Sequence, residues 1–270
     1  TSPQEVRDCL HEELAQALGP LNDLYRLPDS IFNDDNAHVV LTGFDMLILR
    51  AAYAPELHTG MSRGDVAERL PAVLARLNPG GERIPAAPLP GTPPAWSAAI
   101  ETALVPGTPA DERLRAANEA AAMARREGWQ DHRRAFAHYT LGRALQAQDP
   151  VLAHQHFRTA LRYLPDQPGP EPHRARIYSR LAAHDLARGD ASAALPLLRS
   201  AAQSAVAGQN AALLATLRLQ EAEALEQLGQ HEQARAVRLD SLGWARYGFG
   251  EQWALQSQLR QMAQRRPSGE

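Results

Sequence analysis

Few residues in this chain have the types and spacing that catalysis or metal binding requires. His154 and His156 could each bind a metal, but side chains two apart on a helix point in different directions and cannot share one ion. The run NDDN at 33–36 offers oxygen ligands to calcium, yet the spaced Asp-x-Asp-x-Asp-Gly loop is missing, which favours a polar turn. Cys9 is the only cysteine, which excludes a disulfide within the chain and a thiolate metal site.

One further constellation lies near the start of the chain. Residues 12–22, EELAQALGPLN, fall on the frame H-E-x-x-H-x-x-G-x-x-H, and residues 3–57 resemble the active-site half of metzincin zinc proteases. The resemblance aligns Gly19 with the glycine that lets the chain turn back, and Glu13 with the general base. It also aligns Phe32 of DSIFN with the Met-turn and LTGFDMLILRAAYAPEL with the helix that closes such domains.

The three metal positions of that frame are all changed. Glu12, Gln16 and Asn22 stand where the family has histidine, and one carboxylate with two amides cannot replace three imidazoles. His11 lies one residue out of register and points away from the Glu12–Gln16 face. The resemblance therefore implies a degenerate relative with no metal, no cofactor and no peptidase activity. An ordinary amphipathic helix that ends in glycine would also match so short a frame.

The same segment resembles, more closely, an uncharacterised domain family of proteobacterial secreted proteins and lipoproteins. That resemblance implies a periplasmic or secreted location in the bacterial envelope and no known activity. The sequence contains no signal peptide and no apolar run of about 18 residues, the length that a membrane span requires.

Charge is distributed unevenly along the 270 residues. All 28 basic residues are arginine, and the net charge of −3 gives no general attraction for nucleic acid or anionic lipid. Residues 1–108 contain 7 Arg against 14 Asp and Glu, whereas residues 109–270 contain 21 Arg against 17 Asp and Glu. This asymmetry indicates two parts of the chain, the first with a net negative charge and the second with a net positive charge.

Helix-start signatures mark the first part of the chain. Thr42 with Asp45, and Ser62 with Asp65, have the spacing of capping boxes, which predicts helices that begin directly after Thr42 and Ser62. A proline- and glycine-rich segment follows, interrupted by a short helix around 96–104. We therefore predict a small, mostly helical, partial domain over 1–77, a linker over 78–109 and a helical repeat array over 110–266.

Three helical hairpins are predicted within the second part, over 131–164, 172–206 and 211–243. Small residues recur at 40- or 41-residue spacing, which suits helices that cross closely. They are Gly142, Ala182 and Ala222 in the first helices and Ala153, Ala194 and Ala234 in the second. Residues 131–243 resemble tetratricopeptide repeats, and the first hairpin keeps most of that pattern at Leu141, Gly142, Ala153, Phe157, Ala160 and Pro165. A helix at 252–264 is expected to cap the open end.

The resemblance implies that the first helices line a concave groove for an extended peptide or a partner helix. Counting from the small positions places nine residues on this surface: Tyr139, Arg143, Gln146, Arg176, Ser179, Ala183, Leu219, Glu223 and Glu226. The first two hairpins present arginine and the third presents glutamate. A charged partner would therefore bind in one direction, its acidic end towards the arginines.

Taken together, these patterns predict a mainly α protein with a tetratricopeptide-like hairpin array after a partial N-terminal domain. The predicted function is a non-catalytic scaffold or adaptor of the bacterial envelope that binds a protein or peptide, with no nucleic acid partner and no cofactor. Two alternatives stay open. One is a metzincin-like peptidase whose missing strands and ligands come from a separate fragment, or whose metal site is unconventional. The other is a purely structural envelope component.

Overall fold

A computed structural model of the chain describes residues 2–85, 88–165 and 171–250. Within these ranges the chain forms α-helices and one 3-10 turn, Gly81–Arg83, without any β-strand. The predicted mainly α fold of helical hairpins is therefore confirmed. In chain order the helices are α1 (Pro3–Ala17), α2 (Gly43–Ala52), α3 (Arg63–Leu77), α4 (Pro94–Leu104), α5 (Ala110–Arg126), α6 (His132–Leu145), α7 (Pro150–Leu161), α8 (Pro172–Ala187), α9 (Ala191–Ala207), α10 (Ala211–Gln227) and α11 (His231–Phe249).

The chain divides into two compact units. The N-terminal unit comprises Asp8–Thr92, and the hairpin unit comprises residues 2–7 together with the described residues from Pro93 onwards. The division falls inside the segment 78–109 that the sequence assigns to a linker, so α4 belongs to the hairpin unit. The predicted domain bounds stay predictions, because a compact unit is not by itself an independently folding domain.

Two capping boxes begin the helices of the N-terminal unit, as the sequence predicts. The Asp45 backbone N–H donates to Thr42 Oγ1 at 3.2 Å, and the Thr42 N–H donates to Asp45 Oδ2 at 2.8 Å. Ser62 and Asp65 make the same reciprocal pair ahead of α3, at 3.1 and 3.0 Å. Each box satisfies two backbone donors that a helix start leaves open, and a cap of this kind stabilises a helix by about 1 kcal/mol.

Asp45 also fixes the turn that precedes α2. Its carboxylate is fully buried and accepts hydrogen bonds from Ser30 Oγ at 2.5 Å and from the Ile31 backbone N–H at 3.0 Å. This places Phe32, 2% exposed, in one buried apolar cluster with Ile31 and Ala15 of α1. A single carboxylate therefore joins the start of α2 to the DSIF turn packed on α1.

The hairpin unit contains four consecutive hairpins in its described residues: α4–α5, α6–α7, α8–α9 and α10–α11. Short turns separate the paired helices, and aspartate caps begin two of the second helices. Asp149 Oδ1 accepts from the Leu152 N–H at 2.9 Å at the start of α7, and Asp190 Oδ1 accepts from the Ala193 N–H at 3.1 Å at the start of α9. The three predicted hairpins are present, and α4–α5 is an additional one.

Trp96 shows why α4 and α5 form a hairpin. Its side chain is 0% exposed, and its indole N–H donates to the Ala120 carbonyl of α5 at 3.1 Å. Its ring lies edge-on to Trp129, with 5.3 Å between centroids. A buried tryptophan with a satisfied N–H contributes a large apolar contact, so this packing joins the short helix predicted around 96–104 to α5.

Small residues lie where the paired helices cross. A Cβ built on Gly142 of α6 would lie 2.6 Å from Cε1 of Phe157 in α7, so glycine permits this approach. Ala153, Ala194 and Ala234, the equivalent residues of the second helices, are all fully or almost fully buried. The close approach at Gly142 and the burial of these three alanines agree with the small positions that the sequence singles out.

The last described helix is longer than the sequence indicates. The third predicted hairpin ends at residue 243, but α11 continues to Phe249. Gly248 makes this possible, because a Cβ there would lie 2.5 Å from Cα and N of Ala212 in α10. The helix predicted at 252–264 lies outside the described residues.

The first residues of the chain pack on the start of α10, within the hairpin unit. The Gln4 side-chain carbonyl accepts from the Ala212 backbone N–H at 2.7 Å, and its amide donates to Asn210 Oδ1 at 3.1 Å. Arg7 donates to the Gln209 carbonyl at 2.9 Å. Gln4 thereby satisfies a backbone donor at the N-terminus of α10.

Candidate functional site

The nine residues predicted to line a groove lie on the first helices of three hairpins, α6, α8 and α10, and at the C-terminal end of α6. We call this surface the first-helix face. Arg143 is exposed, and Gln146, Arg176 and Ala183 are half-buried. Tyr139 and Ser179 are buried, so the face has an interior layer as well as an exposed one.

Tyr139 is the aromatic centre of the face on α6. Only 8% of the residue is exposed, and its ring lies 6.3 Å from the Phe136 ring and 5.9 Å from the Phe157 ring, measured between centroids. The Arg180 guanidinium lies within hydrogen-bonding reach of the Tyr139 hydroxyl. The tyrosine is thus packed in the hairpin core at one end and faces an arginine at the other.

Arginine charges dominate the electrostatics around Tyr139. Burial alone would raise the pKa of its hydroxyl, but the positive charges of Arg180, Arg143 and Arg176 outweigh burial and hold the pKa below its ordinary value. The charges of these three arginines therefore act together on the Tyr139 hydroxyl.

Neighbouring arginine charges also act on Arg143. Although the residue is exposed as a whole, desolvation of its guanidinium lowers its pKa first. The phenol of Tyr139 acts in the opposite direction, and the charges of Arg180, Arg176 and Arg113 lower the pKa further. The Arg143 guanidinium lies 5.9 Å from the Tyr139 ring centroid, a favourable cation–π geometry that keeps it next to the other arginines.

Two of these arginines were not among the predicted site residues. Arg113 comes from α5, where it donates to the Thr108 carbonyl at 3.1 Å, and its Nε is buried without a hydrogen-bond partner. Arg180 comes from α8 and reaches Gln146 Oε1 at 3.5 Å. Together with Arg143 and Arg176 they form what we call the arginine cluster, contributed by three helices.

The third hairpin differs from the first two. Glu226 of α10 accepts from His231 at 3.0 Å and lies 3.9 Å from Arg238, both on α11. Leu219 and Glu223 are half-buried on the same helix. The acidic end of the face is therefore partly neutralised by the protein's own side chains.

Ser179 contributes to helix packing. Its hydroxyl donates to Gln220 Oε1 at 2.9 Å, and the Gln220 amide donates back to the Ser179 carbonyl at 3.1 Å. Both residues are buried, so this reciprocal pair joins α8 to α10. Ser179 was predicted to contact a partner, but the structure uses its hydroxyl inside the unit.

The degenerate positions near the N-terminus lie on and after α1. Gln16 donates to Asp23 Oδ1 at 2.7 Å, Glu13 and Asn22 are exposed, and Glu12 is half-buried. Burial raises the pKa of Glu12, and the negative charges of Asp23, Glu13 and Asp34 raise it further. Across the described ranges, no three His, Cys, Asp or Glu side chains are arranged to bind a metal ion.

His154 and His156 face different ways, as their spacing predicts, but neither is a simple surface residue. His156 approaches His138 of α6, with 3.0 Å between the two Nδ1 atoms, and the rings stack. His154 stacks on His184 of α8 at 4.4 Å between centroids. Both histidines are half-buried, so their role is in contacts between helices.

No helix in the described parts of the chain combines the length and the apolar character that crossing a membrane requires.

Comparison with known proteins adds information on the N-terminal quarter of the chain. A family described as a protein of unknown function, DUF2927, matches residues 1–72, which include α1, α2 and most of α3. No curated protein and no solved structure matches the chain. The similarity to DUF2927 concerns the degenerate frame and the DSIF turn, and it does not extend to the hairpins that carry the first-helix face.

Proposed function

We propose that the hairpin unit is a tetratricopeptide-like, non-catalytic interaction module that binds an extended segment of a partner protein along the first-helix face. The observation that carries the proposal is that arginines of α6 and α8 lie around one aromatic side chain: the Arg143 guanidinium lies 5.9 Å from the Tyr139 ring centroid, and Arg180 reaches Gln146 Oε1 at 3.5 Å. Arginine is suited to such surfaces, since its planar group donates several hydrogen bonds and stacks on aromatic rings.

The register of the hairpins supports the tetratricopeptide-like assignment. Gly142, Ala182 and Ala222 recur every 40 residues, and all three are buried at corresponding places in α6, α8 and α10. A repeated small residue lets successive hairpins approach at the same point, which is how repeat units bury a continuous core.

The charge pattern supports one binding direction for the partner. Arg143 and Arg176 would hold its acidic end, while Glu223 and Glu226 would hold its basic end. Because Glu226 already pairs with His231 and Arg238, the basic end must compete with those contacts. We therefore assign most of the binding energy to the arginine end.

The proposal also covers the N-terminal unit, which we infer to be a degenerate metzincin-like segment without peptidase activity. Phe32 is buried against Ala15 of α1, so the DSIF turn packs on the helix that would carry the metal ligands. An envelope location, periplasmic or secreted, rests on the family resemblance of this segment alone.

The test is charge reversal on the first-helix face. A partner is isolated by pull-down, and its affinity is measured for the Arg143→Glu/Arg176→Glu variant. A matched control, Arg115→Glu/Arg158→Glu, reverses two exposed arginines on the second helices α5 and α7. We expect the first variant to weaken binding by about tenfold or more and the control to leave it unchanged.

Circular dichroism must first show that both variants are folded. Unchanged affinity for the folded Arg143→Glu/Arg176→Glu variant would contradict the assignment and favour a site on the N-terminal unit or on the second helices.

A further inference from the structure

Two histidine pairs join α7 to the helices beside it. His156 of α7 meets His138 of α6, with 3.0 Å between their Nδ1 atoms and 5.3 Å between the ring centroids. His154 of α7 stacks on His184 of α8, with 4.4 Å between centroids. Side chains two apart on a helix point in different directions, so one pair joins α7 to α6 and the other joins it to α8.

The contact between the two Nδ1 atoms limits how many protons the His138–His156 pair can hold. Between two neutral rings, one Nδ1–H donates to the other Nδ1, and a single added proton leaves that hydrogen bond in place. A second added proton puts a hydrogen on both Nδ1 atoms, so neither can accept, and two positively charged rings then face each other. The contact is therefore compatible with one charged ring and incompatible with two.

The charges that act on His138 are positive. They belong to His156, to Arg134 on the same helix and to Arg125 on α5. The His138 ring also stacks on Tyr163, at 5.9 Å between centroids, and the Arg134 guanidinium lies 4.4 Å from the Tyr163 ring centroid. Burial first, and these charges after it, lower the pKa of His138, and burial lowers the pKa of His156. Protonation of this pair is therefore disfavoured while α7 stays packed on α6.

The His154–His184 pair has a different environment. The charged groups around it are Asp185, Arg158, Arg188 and, at the start of α9, Asp190. Burial first, and then the charge of His184, lower the pKa of His154, but the negative charge of Asp185 acts against them. A carboxylate beside the rings stabilises an added proton, so this pair tolerates charge better than the His138–His156 pair does. It provides a matched comparison on the same helix.

Few buried residues hold α7 in place. Three of its 12 residues are buried, Ala153, Phe157 and Ala160, whereas nine are buried in α10. Elements with few buried apolar contacts open locally at a lower free energy than the whole protein. We propose that the His138–His156 pair is an acid-sensitive contact that holds α7 on α6 at neutral pH and releases α7 when both rings are protonated. Release exposes Phe157, whose ring lies against Gly142 in the packed state.

The direction of the pH effect follows from the two states of α7. Once α7 is released, both rings regain their ordinary affinity for protons, so opening takes up protons and becomes more favourable as the pH falls below about 6.5. In the packed state the pKa of His138 is about 4, so the effect grows down to about that pH. The inference goes beyond the proposed function, because it concerns the packing of α7 and needs no partner.

Amide hydrogen exchange of the full chain measures the opening of α7. It is read by mass spectrometry at pH 7 and pH 5 and corrected for the intrinsic exchange rates. We expect the protection of α7 to fall by about fivefold or more between the two pH values, beyond any change in α10. The His138→Gln/His156→Gln variant cannot take up these protons, so it should lose this difference. The matched His154→Gln/His184→Gln variant should keep the difference, because it leaves the first pair intact.

If the His138→Gln/His156→Gln variant does not fold at pH 7, His138→Gln decides, and its pH difference in the protection of α7 should be smaller than that of the parent. The inference is overturned if α7 of the parent loses no more protection than α10, or if the variant that decides keeps the difference of the parent. It is also overturned if the His154→Gln/His184→Gln variant abolishes that difference. None of these outcomes depends on a partner, so they are distinct from failure of the proposed function.

Discussion

Replacing Gly142 with alanine tests the packing of the first predicted hairpin. A methyl group at this position of α6 would lie 2.6, 2.8 and 3.0 Å from three ring atoms of Phe157. These distances are far below van der Waals contact, and Phe157 is only 2% exposed, so its ring has little room to move. The substitution must therefore displace α7 or force the ring from its preferred geometry.

Two opposing effects decide the size of the change. Alanine favours a helix over glycine by about 1 kcal/mol, whereas overpacking a tight core costs about 1–3 kcal/mol. The net loss of unfolding free energy for Gly142→Ala is therefore expected at about 0–2 kcal/mol. A helical glycine with free space around it isolates the first effect. Gly243 of α11 is such a residue, because a Cβ there would meet nothing within 4 Å.

Chemical denaturation monitored by circular dichroism gives the free energies of both variants. Gly243→Ala should be more stable than the parent by up to about 1 kcal/mol, so Gly142→Ala should fall below Gly243→Ala by about 1–3 kcal/mol. Gly248→Ala should lose more than Gly142→Ala, because its methyl group would meet the Ala212 backbone instead of a side chain. Equal stabilisation by Gly142→Ala and Gly243→Ala would refute the close approach of α6 and α7.

Three further predictions concern the helix crossings, a histidine pair and the metal. Replacing Ala153, Ala194 or Ala234 with leucine should lower the unfolding free energy by about 1–3 kcal/mol each, because all three are buried; three variants that melt like the parent would show the register to be wrong. Burial first, and then the charges of His156 and two arginines, lower the pKa of His138 to about 4. The unfolded chain therefore binds a proton on this histidine more readily than the folded chain does. The contribution of neutral His138 to the unfolding free energy is complete above about pH 6.5 and is lost as the pH falls towards 4. Unfolding free energies at pH 7 and 4.5 should differ less for His138→Gln than for the parent, and an equal difference would contradict the assignment. Elemental analysis should find no stoichiometric zinc, and chelators should leave the melting temperature unchanged, because the three metal positions carry Glu, Gln and Asn; one tightly bound zinc per chain would contradict this.

Local signals in the sequence were sufficient to predict the starts of two helices and the presence of three hairpins. Thr42 and Ser62 form the capping boxes that their spacing with Asp45 and Asp65 predicts, because a cap depends on residues within one turn. The small residues Gly142, Ala182 and Ala222, which recur every 40 residues, are likewise all buried in the first helices of their hairpins. These features are local or periodic, which is why a sequence can reveal them.

Features that depend on distant contacts could not be predicted in the same way. The α4–α5 hairpin rests on Trp96 packing beneath Ala120, and its proline-rich flanks suggested a linker. Two members of the arginine cluster were missed for a similar reason. Arg113 precedes the predicted hairpins, which begin at residue 131, and Arg180 falls between the counted positions of α8. Only the fold brings these side chains next to Arg143.

The most direct test of the central claim is photo-crosslinking from the first-helix face. A photoreactive amino acid replaces Ala183, which is half-buried on α8, and in a matched variant it replaces Ala193, which is exposed on α9 of the same hairpin. The account predicts that the partner isolated by pull-down crosslinks from position 183 and not from position 193. Crosslinking from position 193 alone, with both variants folded, would contradict it.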